Sequence, residues 1–205
     1  MTPDTLFYCG STTKSFTSAA LSLLIDPSAA NTSTPLAEPF ASSPTPLEWT
    51  TPISALLRED FVLSSRWATD HVTLLDAASH RTGYPRHDLS MNVPSARHLA
   101  RNLRHLPMAA EPRTRFLYSN IMYGVLGHVV SVLSGRPLVA FLRDHLWKPW
   151  GMGSTFLGLA DVRAAGRAAD FAAEYWFLND SAAFAALPHA DLIADAGAGA
   201  ISMQP

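Results

Sequence analysis

The spacing of apolar residues near the start of the chain predicts an amphipathic helix that ends at Asp26. Apolar residues recur every three or four positions, and polar residues fall on the opposite face. The apolar face holds Phe16, Ala19, Ala20, Leu23 and Leu24, and the polar face holds Ser11, Lys14, Ser15, Ser18 and Ser22. Because Asp26 precedes Pro27, helical geometry is disfavoured at that position. The helix is therefore expected to stop there.

Prolines then interrupt any regular pattern and predict a long Pro/Ser/Thr-rich loop over residues 27–52. They stand at positions 27, 35, 39, 44, 46 and 52. Beyond the loop, short apolar patterns predict helices at Ile53–Arg58, Leu74–Ala78 and Pro94–Leu106. The last of these has one apolar face and several basic residues on its other faces. We interpret the basic residues as a solvated helix surface rather than a phosphate site.

The second half of the chain is dominated by a helix from Asn120 to Ser134 that is apolar nearly all round. Such a helix belongs in the middle of a core. An extended segment, Arg115–Tyr118, precedes it, and Gly135 is expected to cap it. The later predictions are a helix from Pro137 to about Trp147, a turn at Pro149–Gly153, a helix at Asp161–Ala169, a strand at Glu174–Leu178 and a small-residue turn at Ala196–Ala200.

Composition narrows the class of protein. A chain of 205 residues that is 48% hydrophobic can bury a substantial core, which excludes disordered and fibrous classes. A formal charge of −2 gives no general attraction to polyanions, so no nucleic-acid partner is expected. A single cysteine excludes an internal disulfide framework, and neither CxxC nor HExxH occurs, so no metal site is expected.

Neither a signal sequence nor a membrane segment is predicted. The first ten residues, MTPDTLFYCG, lack the basic flank and apolar centre of a secretory signal. The apolar run from Ile121 to Gly135 is shorter than the roughly 20 residues that a membrane span needs. We therefore expect no membrane partner, while the cellular compartment stays open.

Ser11 and Lys14 lie one helical turn apart, so their side chains meet at the start of the first helix. A helix cap followed by a surface lysine is the simpler interpretation. However, the helix dipole disfavours a cation at this end by roughly 0.3–1 kcal/mol, so Lys14 is a poor choice for stability alone. A neutral amine at this position can accept a proton from Ser11 and activate it as a nucleophile.

Tyr118 and Asn120 stand where the extended segment meets the buried helix. In isolation they are a core tyrosine and a helix cap. Beside a lysine ammonium, a tyrosine hydroxyl becomes a stronger acid and its anion can serve as a base, while an asparagine amide can hold a substrate carbonyl or the lysine. The pairing of the two motifs, more than a hundred residues apart, favours the catalytic interpretation.

The sequence resembles the serine β-lactamase and penicillin-binding-protein superfamily, in particular its class C β-lactamase-related branch. Five ordered blocks carry the resemblance. They are Gly10–Thr17, the stretch from Val72 to Pro85 that is similar to "TLxDLLSHTSGLP", Phe116–Gly127, the Pro149–Thr155 turn that is similar to "PLGMxxT", and the glycine turn Ala196–Gly199. The resemblance implies an α+β, mostly helical fold of the β-lactamase/transpeptidase type.

The resemblance also implies roles for the four singled-out residues. Ser11 would be the nucleophile, Lys14 its activator, Tyr118 the base and Asn120 the substrate-orienting amide. The reaction would be acyl transfer through a serine ester, on a small-molecule amide or ester and without a cofactor. Cys9, next to the nucleophile, is interpreted as a small buried residue, and His80 as a structural hydrogen-bonding residue.

The sequence departs from the family pattern at both ends. Ten residues precede Ser11, six follow Gly199, and no KTG or HTG triplet occurs. We therefore expect residues 1–205 to form one partial domain that lacks much of the antiparallel sheet and the C-terminal motif. The loss of one oxyanion donor costs about 100- to 1,000-fold in rate. The alternative is a non-catalytic homologue or gene fragment, and helix faces left uncovered would favour self-association.

Overall fold

A computed structural model describes residues 1–26, 28, 46–188, 194 and 196–204. Most of the predicted loop over residues 27–52 lies outside the described residues. The α-helices are α1 (Thr13–Ile25), α2 (Ile53–Leu57), α3 (Arg66–His71), α4 (Leu74–Ala78), α5 (Ala96–Asn102), α6 (Asn120–Ser134), α7 (Leu138–Leu142), α8 (Gly158–Ala164) and α9 (Ala196–Gly199). The strands are β1 (Phe7–Tyr8), β2 (Thr155–Leu157), β3 (Glu174–Leu178), β4 (Ala183–Leu187) and β5 (Ile201–Met203).

Several helices have the bounds that the sequence predicts. The bounds of α4 and α6 match the predicted bounds residue for residue. Helix α1 ends at Ile25, with Asp26 as its C-cap, as the proline after Asp26 requires. The predicted Pro94–Leu106 helix instead begins at Ala96. The Ser95 side chain accepts a hydrogen bond from the amide of His98 and caps the helix, so Pro94 lies before the cap and not at the first helical position. A 3₁₀ turn over Leu103–His105 completes this helix.

Other elements differ from the prediction in bounds or in type. The helix predicted at Asp161–Ala169 is α8, which begins at Gly158 and ends at Ala164; the Asp161 carboxylate accepts from the amide of Leu157 (3.0 Å) at its start. The helix predicted to run to Trp147 does end there, but it changes after α7 into a π-helical turn. The predicted turn at Ala196–Ala200 forms the single helical turn α9. Helix α3 was missed because it is short and largely polar.

Helix α6 lies at the centre of the molecule, as its apolar sequence predicts. It packs against α1, α4, α5, α7 and α9. Ile121, Val125, Leu126 and Val129 are at most 1% exposed, so residues from several faces of this helix are buried. Its first residue, Asn120, therefore has a position fixed by the whole core.

A three-stranded antiparallel sheet, in the order β1-β5-β2, joins distant parts of the described chain. Phe7 lies opposite Met203, and Phe156 lies opposite Ser202. The amide of Cys9 donates to the carbonyl of Ile201 (2.9 Å), so the pairing continues to the residues just before α1. This sheet holds the start of α1 beside α9. Small sheets beside a helical body make the fold α+β, as expected.

The predicted strand Glu174–Leu178 is β3, and within the described residues it pairs only with β4, a strand that the sequence analysis missed. Six large apolar side chains of this hairpin are between 41% and 70% exposed. We call them the hairpin patch: Tyr175, Trp176, Phe177, Leu178, Phe184 and Leu187. The helices also expose apolar side chains, at Trp67, Leu75 and Val132, but the hairpin patch is the larger group.

Candidate active site

Ser11 lies in a 3₁₀ turn over Gly10–Thr12, immediately before α1. Gly10 has a φ of +50°, a conformation that glycine adopts at little cost and other residues rarely adopt. The Ser11 side chain is exposed, whereas Thr13 and Lys14, on the next turn, are buried. The turn thus presents one hydroxyl at the surface above a buried cation.

Lys14 is 8% exposed and is held by three acceptors. Its Nζ donates to Ser11 Oγ (3.2 Å), to Asn120 Oδ1 (2.8 Å) and to the carbonyl oxygen of Ala198 (2.8 Å). A lysine ammonium has three N–H donors, so this buried charge is fully hydrogen-bonded. Lys14 therefore links three segments of the chain at one point.

Tyr118 ends the extended segment, and its hydroxyl oxygen lies 2.6 Å from Ser11 Oγ. Burial acts to raise the pKa of Tyr118, but hydrogen bonding from Lys14 and Ser11 lowers it. The positive charges of Lys14 and Arg86 lower it further, so the net pKa is below the usual value. The lysine Nζ is 4.7 Å from the centroid of the tyrosine ring. The arrangement therefore makes the Tyr118 phenol a stronger acid than a free tyrosine beside the Ser11 hydroxyl.

Asn120 is the first residue of α6 and faces Lys14 with its carboxamide oxygen. Its Nδ2 donates to Asp88 Oδ1 (3.2 Å). All four residues predicted from the sequence are therefore brought together, and we call Ser11, Lys14, Tyr118 and Asn120 the polar cluster. Their roles stay predictions, since distances alone do not assign them.

His80 supports the segment that carries Tyr118. Its Nδ1 accepts from the amide of Ser119 (3.1 Å), and its carbonyl accepts from the amide of Leu117 (2.8 Å). The imidazole ring packs against the Tyr118 ring with centroids 4.5 Å apart. Burial, followed by the charge of Lys14, lowers the pKa of His80 to about 4, so the ring is neutral at pH 7 and can accept this hydrogen bond.

The glycine turn predicted near the site contributes a carbonyl and not a side chain. Thr17 Oγ1 donates to the carbonyl of Gly197 (2.7 Å), which fixes α9 against α1. A Cβ on Gly197 would lie 2.6 Å from the carbonyl oxygen of Tyr123, so only glycine lets α9 approach α6 this closely. The approach places the carbonyl of Ala198 against the Lys14 ammonium.

Two charged residues beside the polar cluster were missed by the sequence analysis. Arg86 lies with its guanidinium carbon 5.1 Å from the centroid of the Tyr118 ring. Its Nε is 2.6 Å from Asp88 Oδ2, and Asp88 also contacts Asn120. The signal in the sequence is weak: a charged pair directly follows the block that ends at Pro85.

The described residues hold neither a metal-binding cluster nor a single membrane-spanning helix. No group of three or more His, Cys, Asp or Glu side chains could hold a metal ion within residues 1–26, 28, 46–188, 194 and 196–204. Within the same ranges, no single helix is long and apolar enough to cross a membrane. Asn120–Ser134 and Leu138–Trp147 meet that test only as a pair, which is bent by 76°.

Comparison with solved structures identifies the fold class. FmtA from Staphylococcus aureus superimposes with a TM-score of 0.75 at 18% identity, over 100% of this chain and 50% of that chain. The fold is thus that of penicillin-binding-protein-like and class C β-lactamase structures. A family model described as Beta-lactamase matches residues 1–203, and the chain belongs to that family.

Two curated relatives resemble the chain more closely in sequence. The unguisins hydrolase ungD' of Aspergillus campestris is 39% identical over 98% of this chain and 36% of its own length. The unguisins hydrolase ungD of Aspergillus violaceofuscus is 37% identical over 97% of this chain and 34% of its own length. The chain thus spans about a third of the length of the curated relatives it matches.

Proposed function

We propose that this protein is a serine hydrolase that transfers the acyl group of an amide or ester to Ser11. One observation carries the proposal: Ser11 Oγ lies 3.2 Å from Nζ of Lys14, on the next turn, and 2.6 Å from the oxygen of Tyr118, which is 107 positions away in the chain. A nucleophile within hydrogen-bond distance of a base, which a third group orients, is the arrangement that covalent catalysis needs. Membership of the beta-lactamase family supports the same chemistry.

The proposed reaction has two steps. Ser11 Oγ attacks the acyl carbon while its proton moves to the Tyr118 oxygen, and this proton then passes to the leaving nitrogen or oxygen as the C–N or C–O bond breaks. Water next attacks the serine ester, gives a proton to Tyr118 and releases the acid, and the proton returns to Ser11. Lys14 stabilises the tyrosinate through its charge and holds Ser11 in place.

Intact mass measurement tests the acyl-enzyme directly. The protein is incubated with a fluorophosphonate and, separately, with a fluorescent β-lactam, and the adduct is located by peptide mapping. We expect an adduct on Ser11 that disappears in Ser11→Ala. Ser15→Ala is a matched control, because Ser15 is an exposed serine on α1 whose hydroxyl donates to the carbonyl of Thr12 (2.7 Å). Folded protein without an adduct on Ser11 would contradict the proposal.

The names of the two curated relatives suggest a substrate to test, so we propose that unguisins belong to the substrate range. Incubation of unguisins with wild-type protein and with Ser11→Ala, followed by mass spectrometry, should show hydrolysis that depends on Ser11. Binding that raises the melting temperature without acylation or hydrolysis would instead favour the non-catalytic alternative.

A further inference from the structure

The segment that borders the polar cluster, residues 84–88, is anchored on both sides of Arg86. The Tyr84 ring is fully buried, and its hydroxyl donates to the carbonyl of Leu103 (3.1 Å). A ring nitrogen of His87 lies 2.9 Å from the carbonyl oxygen of Pro107. These contacts keep the backbone of residues 84–88 in place. The side chain of Asp88 therefore meets the site from a fixed position.

Asp88 uses both carboxylate oxygens at the edge of the polar cluster. Its Oδ1 accepts from Asn120 Nδ2 (3.2 Å), while its Oδ2 pairs with Arg86 Nε (2.6 Å). The Asp88 side chain is 35% exposed, and that of Arg86 is 60% exposed. Arg86 thus directs the carboxylate toward the carboxamide from the solvent side.

The orientation of the Asn120 carboxamide determines what Lys14 can do. As an ammonium, Lys14 only donates, and it selects the carboxamide oxygen as its partner. A flipped carboxamide would turn its NH₂ toward the ammonium, and two groups that only donate cannot hydrogen-bond to each other. The flipped form would leave one N–H of the buried Lys14 without its acceptor. The carboxamide oxygen must therefore stay toward Lys14 for this side chain to keep all three acceptors.

We propose that Asp88 is a positioning residue that keeps the oxygen of the Asn120 carboxamide toward Lys14 through the reaction cycle. A carboxylate only accepts hydrogen bonds, so Asp88 selects the NH₂ end of the carboxamide and leaves the oxygen for Lys14. The inference rests on the proposed acyl transfer, in which Lys14 stabilises the tyrosinate and holds Ser11 in place.

The test is the rate of Ser11 labelling by a fluorophosphonate probe between pH 6 and 10. For Asp88→Ala we expect a loss of about tenfold, the effect of removing one charge-assisted hydrogen bond. Asp88→Glu should restore part of the rate, because it keeps a carboxylate that can accept from the carboxamide. General loosening of the site would not be repaired by a longer carboxylate side chain.

Asp70→Ala provides the matched control, because Asp70 also pairs with an exposed arginine, Arg66 at 2.8 Å, on a helix that does not carry a member of the polar cluster. Its labelling rate should equal that of wild type. An Asp88→Ala protein that is labelled as fast as wild type across this pH range would overturn the inference.

A second measurement separates this inference from the proposed function. If wild-type Ser11 is not labelled, the acyl-transfer proposal fails, and the ¹H–¹⁵N signals of the Asn120 carboxamide then decide the role of Asp88. They should shift in Asp88→Ala and remain unchanged in Asp70→Ala. Carboxamide signals that are the same in wild type and Asp88→Ala would overturn the positioning role.

Discussion

Two apolar-rich regions of the molecule have opposite surroundings. Helix α6 buries residues on nearly every side, while the β3–β4 hairpin leaves the hairpin patch largely in solvent. Each of the two strands pairs only with the other in the described structure. An isolated two-stranded hairpin is only marginally stable in water. Hydrophobicity alone therefore does not decide burial. What decides it is whether neighbouring elements reach the same face.

The largest effect that this comparison predicts is on stability. Phe141 is fully buried in α7, so Phe141→Ala should lower the free energy of unfolding by about 3–5 kcal/mol. Phe184 in the hairpin patch is 70% exposed, so the same change there should cost less than about 0.5 kcal/mol. Urea denaturation of both variants gives the two values. Equal losses would show that the hairpin is as tightly packed as the core.

A pH-dependent effect should follow from His80 in the packed region. The folded protein binds a proton on His80 only near pH 4, while the unfolded chain binds it near 6.5, so protonation in that window favours unfolding. Stability should therefore fall by about 2–3 kcal/mol as the pH drops from 6.5 to 4.

His80→Asn tests this, since His80 has a φ of +59°, which asparagine tolerates. Denaturant unfolding at several pH values should show a flatter dependence for this variant than for wild type. His98→Asn, an exposed histidine on α5, controls for the loss of one imidazole. An unchanged slope in His80→Asn would contradict the assignment.

A smaller effect is expected where α9 approaches α6. Gly197→Ala places a methyl group 2.6 Å from a backbone oxygen, so the helices must separate, at a cost of about 1–3 kcal/mol. Gly153→Ala is the control, because a methyl group there meets nothing within 4 Å. Thermal unfolding compares the two. Equal melting temperatures would mean that α9 adjusts freely.

The smallest effect concerns association of the hairpin patch. Self-association stays a prediction, and exposed aromatic residues are the surface on which we expect it. Replacing Trp176 and Phe184 by serine should lower the average mass measured by light scattering at high protein concentration, with little change in stability. A wild-type protein that is monomeric at every concentration would contradict this expectation.

The bounds of an element were predicted most accurately where one pattern of residues extends over many positions. Helix α6 has fifteen residues that are apolar nearly all round, and its bounds were predicted correctly. Strands β2 and β5 have three residues each, too few for an alternating pattern to be recognised, and both were missed. Asp88 was missed for a different reason. Its contact with Asn120 joins residues 32 positions apart, and no spacing rule connects them.

The sequence by itself determined the helical core and the four residues of the polar cluster. Periodicity fixes which helix faces are apolar, and the spacing of Ser11 and Lys14 places them on one turn. Only the tertiary structure decided that Tyr118 and Asn120 reach that turn, that Asp88 and Arg86 border it, and that the hairpin patch faces solvent. The physical reason is that these outcomes depend on how α1, α6 and α9 pack, and packing is set by contacts between residues far apart in the chain.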